Sequence, residues 1–310
     1  MINKSALFKS TLVGGVLGMM LASSANAEDR WIEANNVSLR YELSGNGKTT
    51  VVLLHEIGMS IEGWDEVVPS LSKGYKVLAY DQRGFGQSEK IRGPVTLADE
   101  VNDLRGLLDG LKLNEPVILV GGAIGGSIAV KFAAQYPDRV KGLVILSPVF
   151  RAPTARLAGA AMPAAPAPTA APAAGARPAT TDTATLIETQ GVRAYLEQQL
   201  DNLYPAVLRT DPKRLARFYG IQMASDPTSR AAIVRMISQN GDVSADLPKI
   251  ACPTLVVATS LFPLGPAANV KPIADIIPKA RFVDLPTGHL AALESPEMVV
   301  QMLTKFFAEI

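Results

Sequence analysis

Two histidines, His55 and His289, and one cysteine, Cys252, are the side chains of this 310-residue sequence that ionise nearest neutral pH. So few ligating groups argue against a poly-histidine metal site, an internal disulfide or a cysteine-rich zinc or iron–sulfur centre, and no cofactor or metal is expected. His289 follows Gly288, and a histidine with a reference pKa near 6.5 can give or take a proton at neutral pH; the plainer reading is a packing residue. His55 is followed directly by Glu56 at the end of the apolar run Val51–Leu54. If Glu56 faces a pocket, burial raises its pKa toward the range of a general base; if it faces solvent, it is an ordinary loop carboxylate, and both readings stand. His55 suits a strand-end hydrogen-bonding role, holding its loop in place. Cys252, before Pro253 and an apolar run, reads as a small hydrophobe without an activating cation.

These groups must be held by a scaffold, and strand-like apolar runs alternating with amphipathic stretches predict βαβ units and a mostly parallel sheet. The runs are Val37–Leu43, Thr49–Leu54, Lys76–Tyr80, Val117–Val120, Gly142–Leu146, Thr254–Ala258 and Arg281–Asp284. Leu97, Val101, Leu104 and Leu108 recur at helical spacing within Thr96–Leu111, with Thr96 and Asp99 placed to cap its start. A second helix is predicted over Ile124–Gln135, stopped by Tyr136-Pro137. Residues 152–184 hold 15 alanines and 6 prolines, a composition that blocks helix and sheet hydrogen bonding and predicts a linker. Thr185–Asn240 then reads as helical, a cap over the strand ends where open α/β sheets bind ligands.

A formal net charge of +1 gives no basic surface for nucleic acid. Lys4 and Lys9, the uncharged run Thr11–Leu21 and the small residues of Ala25-Asn26-Ala27 predict a signal peptide over residues 1–27. That run is shorter than the roughly 20 residues a membrane span needs, so a periplasmic or secreted protein without a stable span is expected after cleavage near Ala27.

Four strings then carry a specific resemblance over residues 35–310. VVLLHEIGMSIEGW at 51–64 is similar to a strand and oxyanion loop that usually reads H-G-x-G, and DQRGFGQS at 81–88 matches D-x-R-G-x-G-x-S. VGGAIGG at 120–126 stands where a strand–elbow–helix turn belongs, and Gly288-His289 followed by Glu294-Ser295-Pro296-Glu297 matches G-H-x(4)-E-x-P-E. In order and spacing these resemble the α/β-hydrolase superfamily. The resemblance implies an α/β fold with a mostly parallel central sheet and a helical cap inserted after the sixth strand. The division it suggests is a hydrolase-like core at 28–151, the linker at 152–184, the cap at 185–245 and the rest of the core at 246–310. It further implies an Asp81–Arg83 salt-bridged turn below the site, and oxyanion donors at the backbone N–H groups of Ile57 and Ile124.

The sequence departs from that pattern at the chemistry. Where the family reads G-x-S-x-G, this chain reads Gly121-Gly122-Ala123-Ile124-Gly125, and the Ala123 methyl cannot attack a carbonyl. Phe262 stands where the family's triad aspartate belongs, and Glu56 replaces the glycine after the loop histidine. Three readings follow. One is an enzyme acting on a small hydrophobic carbonyl compound through His289 and Glu56, by hydrolysis, C–C cleavage or proton transfer, in an apolar pocket lined by Ile57, Met59, Ile124, Leu261 and Phe262. The second is an inactive, hydrolase-derived protein that binds a small ligand. The third is an esterase whose nucleophile has shifted to Ser127 in Gly125-Gly126-Ser127-Ile128-Ala129.

Overall fold

A computed structural model describes residues 29–150, 180–204 and 206–310. The expected signal peptide lies outside the described residues, as does most of the Ala/Pro-rich segment. In chain order the strands are β1 (Arg30–Ala34), β2 (Val37–Ser44), β3 (Thr50–Leu54), β4 (Lys76–Tyr80), β5 (Val117–Gly122), β6 (Val140–Leu146), β7 (Thr254–Thr259) and β8 (Ala280–Leu285). The helices are α1 (Val68–Leu71), α2 (Leu97–Gly110), α3 (Ile124–Gln135), α4 (Thr180–Leu203), α5 (Ala206–Thr210), α6 (Pro212–Met223), α7 (Pro227–Asn240), α8 (Ala267–Ile276), α9 (Ala291–Glu294) and α10 (Pro296–Phe307).

The strands form one sheet in the order β1-β2-β4-β3-β5-β6-β7-β8, in which the β1–β2 and β2–β4 pairs are antiparallel and the other pairs parallel. The period-two alternation of a strand divides its side chains between the two faces. Val52, Leu54, Leu119, Leu143 and Ile145 pack with α2, α3 and α8 on one face. Their neighbours Val51, Leu53, Ile118, Val120 and Val144 pack with α10 on the other. Burial on both faces is why the central strands read as continuous apolar runs. Thr96 and Asp99 form the reciprocal capping box that their spacing predicts at the start of α2.

Two elements differ from the sequence reading. β1 is absent from the predicted strands because it is an edge strand whose charged, solvent-facing residues hide any apolar pattern; Trp31 is 51% exposed. The linker expected to reach residue 184 ends earlier, since α4 begins at Thr180. Ala184 and Ile187 are buried there with Leu196, Phe218 and Ala231 in a separate apolar cluster, so tertiary packing of one face overrides the alanine-rich composition. That cluster also takes in Met59, Leu290 and Leu293 from the core, which docks the cap helices onto the loops above the sheet.

Candidate active site

The sheet order places β3 between β4 and β5, so the connections leaving β3 and β5 run to opposite sides. The gap opened by that divergence at the strand ends is the usual ligand crevice of an open α/β sheet. β3 delivers His55, Glu56 and Ile57 to it; β5 delivers Ala123 and Ile124.

Ala123 joins β5 to α3 at φ 46° and ψ −110°, a conformation an L-residue adopts only when its surroundings enforce it. Two close approaches do so. A Cβ on Gly122 would lie 2.3 Å from Glu56 Oε1, and one on Gly125 would lie 2.5 Å from the Leu54 carbonyl. Ser127 lies one turn into α3, buried, with its N–H donating to the Ala123 carbonyl, so the strand–helix turn is at Ala123 and the shifted turn weighed for Ser127 is not formed. Ile124 opens the helix, and its N–H is among the first-turn donors that have no intrahelical acceptor.

His55 is fully buried. Its Nδ1–H donates to the Glu56 carbonyl at 2.8 Å, while the Gln82 N–H donates to Nε2 at 3.0 Å and the Gln82 amide donates to the His55 carbonyl at 2.7 Å. Both ring nitrogens are committed to holding the loop, and burial lowers the pKa of the ring. Glu56 turns inward, 4% exposed, which resolves the two readings of its direction. Burial, aided by the nearby charge of Glu294, pushes its carboxyl up to about 7.

His289 lies between β8 and α9. The G-H-x(4)-E string has a visible purpose: Glu294 accepts from the Gly288 and Leu290 N–H groups at 3.1 and 3.0 Å and closes the loop around the histidine. Its own carboxyl is raised to about 7 by burial. Phe262, at the position expected for a triad acid, stacks on the imidazole with centroids 4.1 Å apart and planes at 28°. The group that holds His289 is one the sequence analysis missed. Ser147, directly after β6, lies 2.8 Å from His289 Nδ1 and accepts from the Thr259 hydroxyl at 2.9 Å. Ser147 is buried at φ 46°, the left-handed region, at the end of a strand next to the elbow strand. A lone serine after an apolar run gave no signal of this; only strand adjacency brings it to the histidine. With no described carboxylate paired with it, burial lowers His289 to about 4, so the ring is neutral at physiological pH.

The remaining expectations fall out unevenly. Met59 is buried within the cap cluster, and Ile57 is partly exposed. Leu261 does not line the interior: it is 46% exposed, because the chain reverses after β7 and turns the adjacent Phe262 inward instead. Asp81 and Arg83 do not pair with each other. Asp81 accepts from the Ile61 and Gln87 N–H groups at 2.8 Å each and meets Arg40 at 3.2 Å, while Arg83 pairs with Asp103. Burial raises the Cys252 thiol, consistent with packing rather than reactivity. Among the described residues, no three His, Cys, Asp or Glu side chains converge as a metal site would require. No described helix is long and apolar enough to cross a membrane.

A strained turn after a buried parallel strand, a histidine loop and an N–H-bearing loop at one crevice can be compared with known proteins. The family model described as the alpha/beta hydrolase fold matches residues 49–296. An uncharacterized protein of Mycobacterium tuberculosis is 36% identical over 107 residues, covering 34% of this chain and 31% of that protein, about a third of its length. "Putative carbamate hydrolase RutD" of Stutzerimonas stutzeri is 27% identical over 278 residues, covering 87% of this chain and 97% of that protein. The crystal structure of the enol-lactonase from Burkholderia xenovorans superposes with a TM-score of 0.77 at 24% identity, covering 90% of this chain and 100% of that one. With its model matched over most of the sequence, the chain belongs to the alpha/beta hydrolase fold family.

Proposed function

We propose that this chain is an enzyme acting on a small, hydrophobic carbonyl compound without a serine acyl-enzyme, exported by its first 27 residues to the periplasm or beyond. The observation that carries the reading is Glu56: a buried carboxyl, held near pKa 7, set against the residue before the elbow. A general base works best when its pKa lies near the working pH. His289, at about 4, is the poorer base. Thr259 donates to Ser147, and we read the Ser147 hydroxyl as donating in turn to His289 Nδ1, which puts the ring's own proton on Nε2. An aspartate could only accept and would enforce the opposite tautomer. Here His289 therefore acts as a hydrogen-bond donor, not as the activator of a nucleophile.

In this reading the substrate carbonyl oxygen sits at the Ile57 and Ile124 N–H groups, which stabilise the charge that develops on it. Glu56 removes a proton from a water or from an acidic C–H and returns it to the departing atom. Hydrolysis, C–C cleavage and proton transfer all fit, and the carbonyl chemistry in the name of the 27%-identical relative supports that class. The alanine at the elbow favours a second reading, a protein that binds such a compound and leaves it unchanged.

One experiment separates these readings and the shifted-serine esterase. The purified protein is incubated in D2O with a panel of aryl esters, lactones and aryl ketones, each with and without a carboxylate group, and products are read by mass spectrometry alongside fluorophosphonate labelling. Cleavage or deuterium uptake lost about 10²–10⁴-fold in Glu56→Gln, with no adduct, is expected. Compounds recovered unchanged with protection against unfolding would establish the binding reading, and an adduct at Ser127 the esterase.

A further inference from the structure

Arg230 in α7 is the one charged side chain of the cap that the fold buries without a counter-charge among the described residues. It is 1% exposed, and it forms no ion pair with another described residue. Its Nη1 donates to the Gln222 side-chain Oε1 at 2.6 Å, and its guanidinium lies over the Tyr195 ring at 5.0 Å. Nε and Nη2 are both buried and have no hydrogen-bond partner among the described residues. A guanidinium does not escape such a position by losing its proton, so the charge stays.

The location is specific. A Cβ on Gly58 would lie 2.3 Å from Arg230 Nη1 and 2.7 Å from Cζ, so the guanidinium rests on the oxyanion loop one residue beyond Ile57. Gly58, at φ 74°, provides the room. Gln222 fixes the other side by donating to Met59 Sδ on the same loop. Nε–H and the adjacent Nη2–H form one edge of the guanidinium fork, two parallel donors spaced for the two oxygens of a carboxylate.

We propose that Arg230 is a specificity-determining residue that binds a carboxylate group of the substrate, so that the carbonyl compound is an anionic acid rather than a neutral ester or ketone. The proposal rests on the reading of the elbow and oxyanion loop as the reacting centre. It assigns the polar end of the substrate to the cap and its carbonyl to Ile57 and Ile124. A planar carboxylate satisfies both orphan donors at once and neutralises a charge that the protein leaves unpaired.

The test is a binding measurement, independent of turnover. Benzoylformate, phenylacetate and benzoate are titrated by calorimetry against their methyl esters, with inorganic phosphate as a second anion, on wild type and on Glu56→Gln. At least one acid is expected to bind tenfold or more tightly than its ester on both proteins. Arg230→Gln should remove that preference, and Gln222→Glu, which keeps the arginine but supplies a charge against it, should weaken it at least threefold. Equal binding of acids and esters by wild type overturns the proposal, as does a preference that survives Arg230→Gln or tighter binding of phosphate than of every acid. Because Glu56 is not the reader, loss of the acid preference leaves the proposed chemistry standing, and inactivity of the wild type leaves the carboxylate preference measurable.

Discussion

Replacing Glu56 by glutamine should stabilise the protein by an amount that grows as pH rises from about 4.5 and levels off above about 7. The carboxyl is buried, and burial with the nearby Glu294 raises it from 4.5 to about 7. A group whose folded pKa lies above its unfolded value favours folding fully below the unfolded pKa. That contribution falls as pH climbs from about 4.5 and is lost once pH passes the folded value near 7. At about 1.4 kcal/mol per pH unit, the interval amounts to about 3 kcal/mol. Glutamine keeps the shape and removes the ionisation, so Glu56→Gln should gain up to about 3 kcal/mol over wild type at pH 8.5 and close to nothing at pH 4.5. For a chain of this size that is a rise in Tm of roughly 6–10 °C at the higher pH. Urea unfolding of both proteins at half-unit steps from pH 4.5 to 8.5 reads the difference directly, since the other titrations cancel between them. A stability difference that does not change with pH would refute the inward, desolvated carboxyl, and with it the case for Glu56 as base.

Four further outcomes follow from the same geometry. Ser147→Asp places an acceptor-only carboxylate at His289 Nδ1, and the imidazole, at about 4 in the parent, should titrate at least two pH units higher by NMR. Ala123→Ser inserts a hydroxyl at the strained turn. Fluorophosphonate should label it appreciably only in combination with Ser147→Asp, and labelling of the single variant at the rate of the double would contradict the tautomer assigned to His289. Gly122→Ala drives a methyl to 2.3 Å from Glu56 Oε1 and should cost about 1–3 kcal/mol; most of that should return in the Gly122→Ala, Glu56→Ala double variant, and additive losses in denaturant unfolding would disprove the contact. Thr96→Ala removes the α2 capping box and should lower stability by about 0.5–2 kcal/mol in the same assay.

Much of the scaffold was legible from local pattern. The apolar runs of β3 to β7 announce strands buried on both faces. The Leu97–Leu108 spacing and Thr96 cap announce α2, and Tyr136-Pro137 marks the end of α3 to the residue. Where pattern misled, a longer-range contact had overruled it. β1 exists because β2 offers it an antiparallel edge, although its own residues are mostly solvent-facing. The first turns of α4 hold, despite their composition, because Ala184 and Ile187 meet the rest of the cap.

The elements of the site divide along the same line. The positions of the elbow, the histidine loop and the loop after β3 are legible in residue types alone, because each is a short string whose residue types follow from its own backbone: small residues for a tight turn, Glu294 to cap the loop six residues behind it. So is the absence of a nucleophile at Ala123. Tertiary structure alone decided what those positions can do. Ser147 reaches His289 across 142 residues of chain, through the adjacency of β6 to β5 and β7. Glu56 becomes a group titrating near neutrality only because it is packed against Gly122 and shielded from water. Arg230, one of two charged residues on α7, becomes a buried cation without a counter-charge among the described residues only when the cap docks on Gly58. Residue type and spacing specify local geometry, but pKa, tautomer and unmet hydrogen bonds depend on desolvation and on neighbours distant in sequence, and those exist only once the chain has folded.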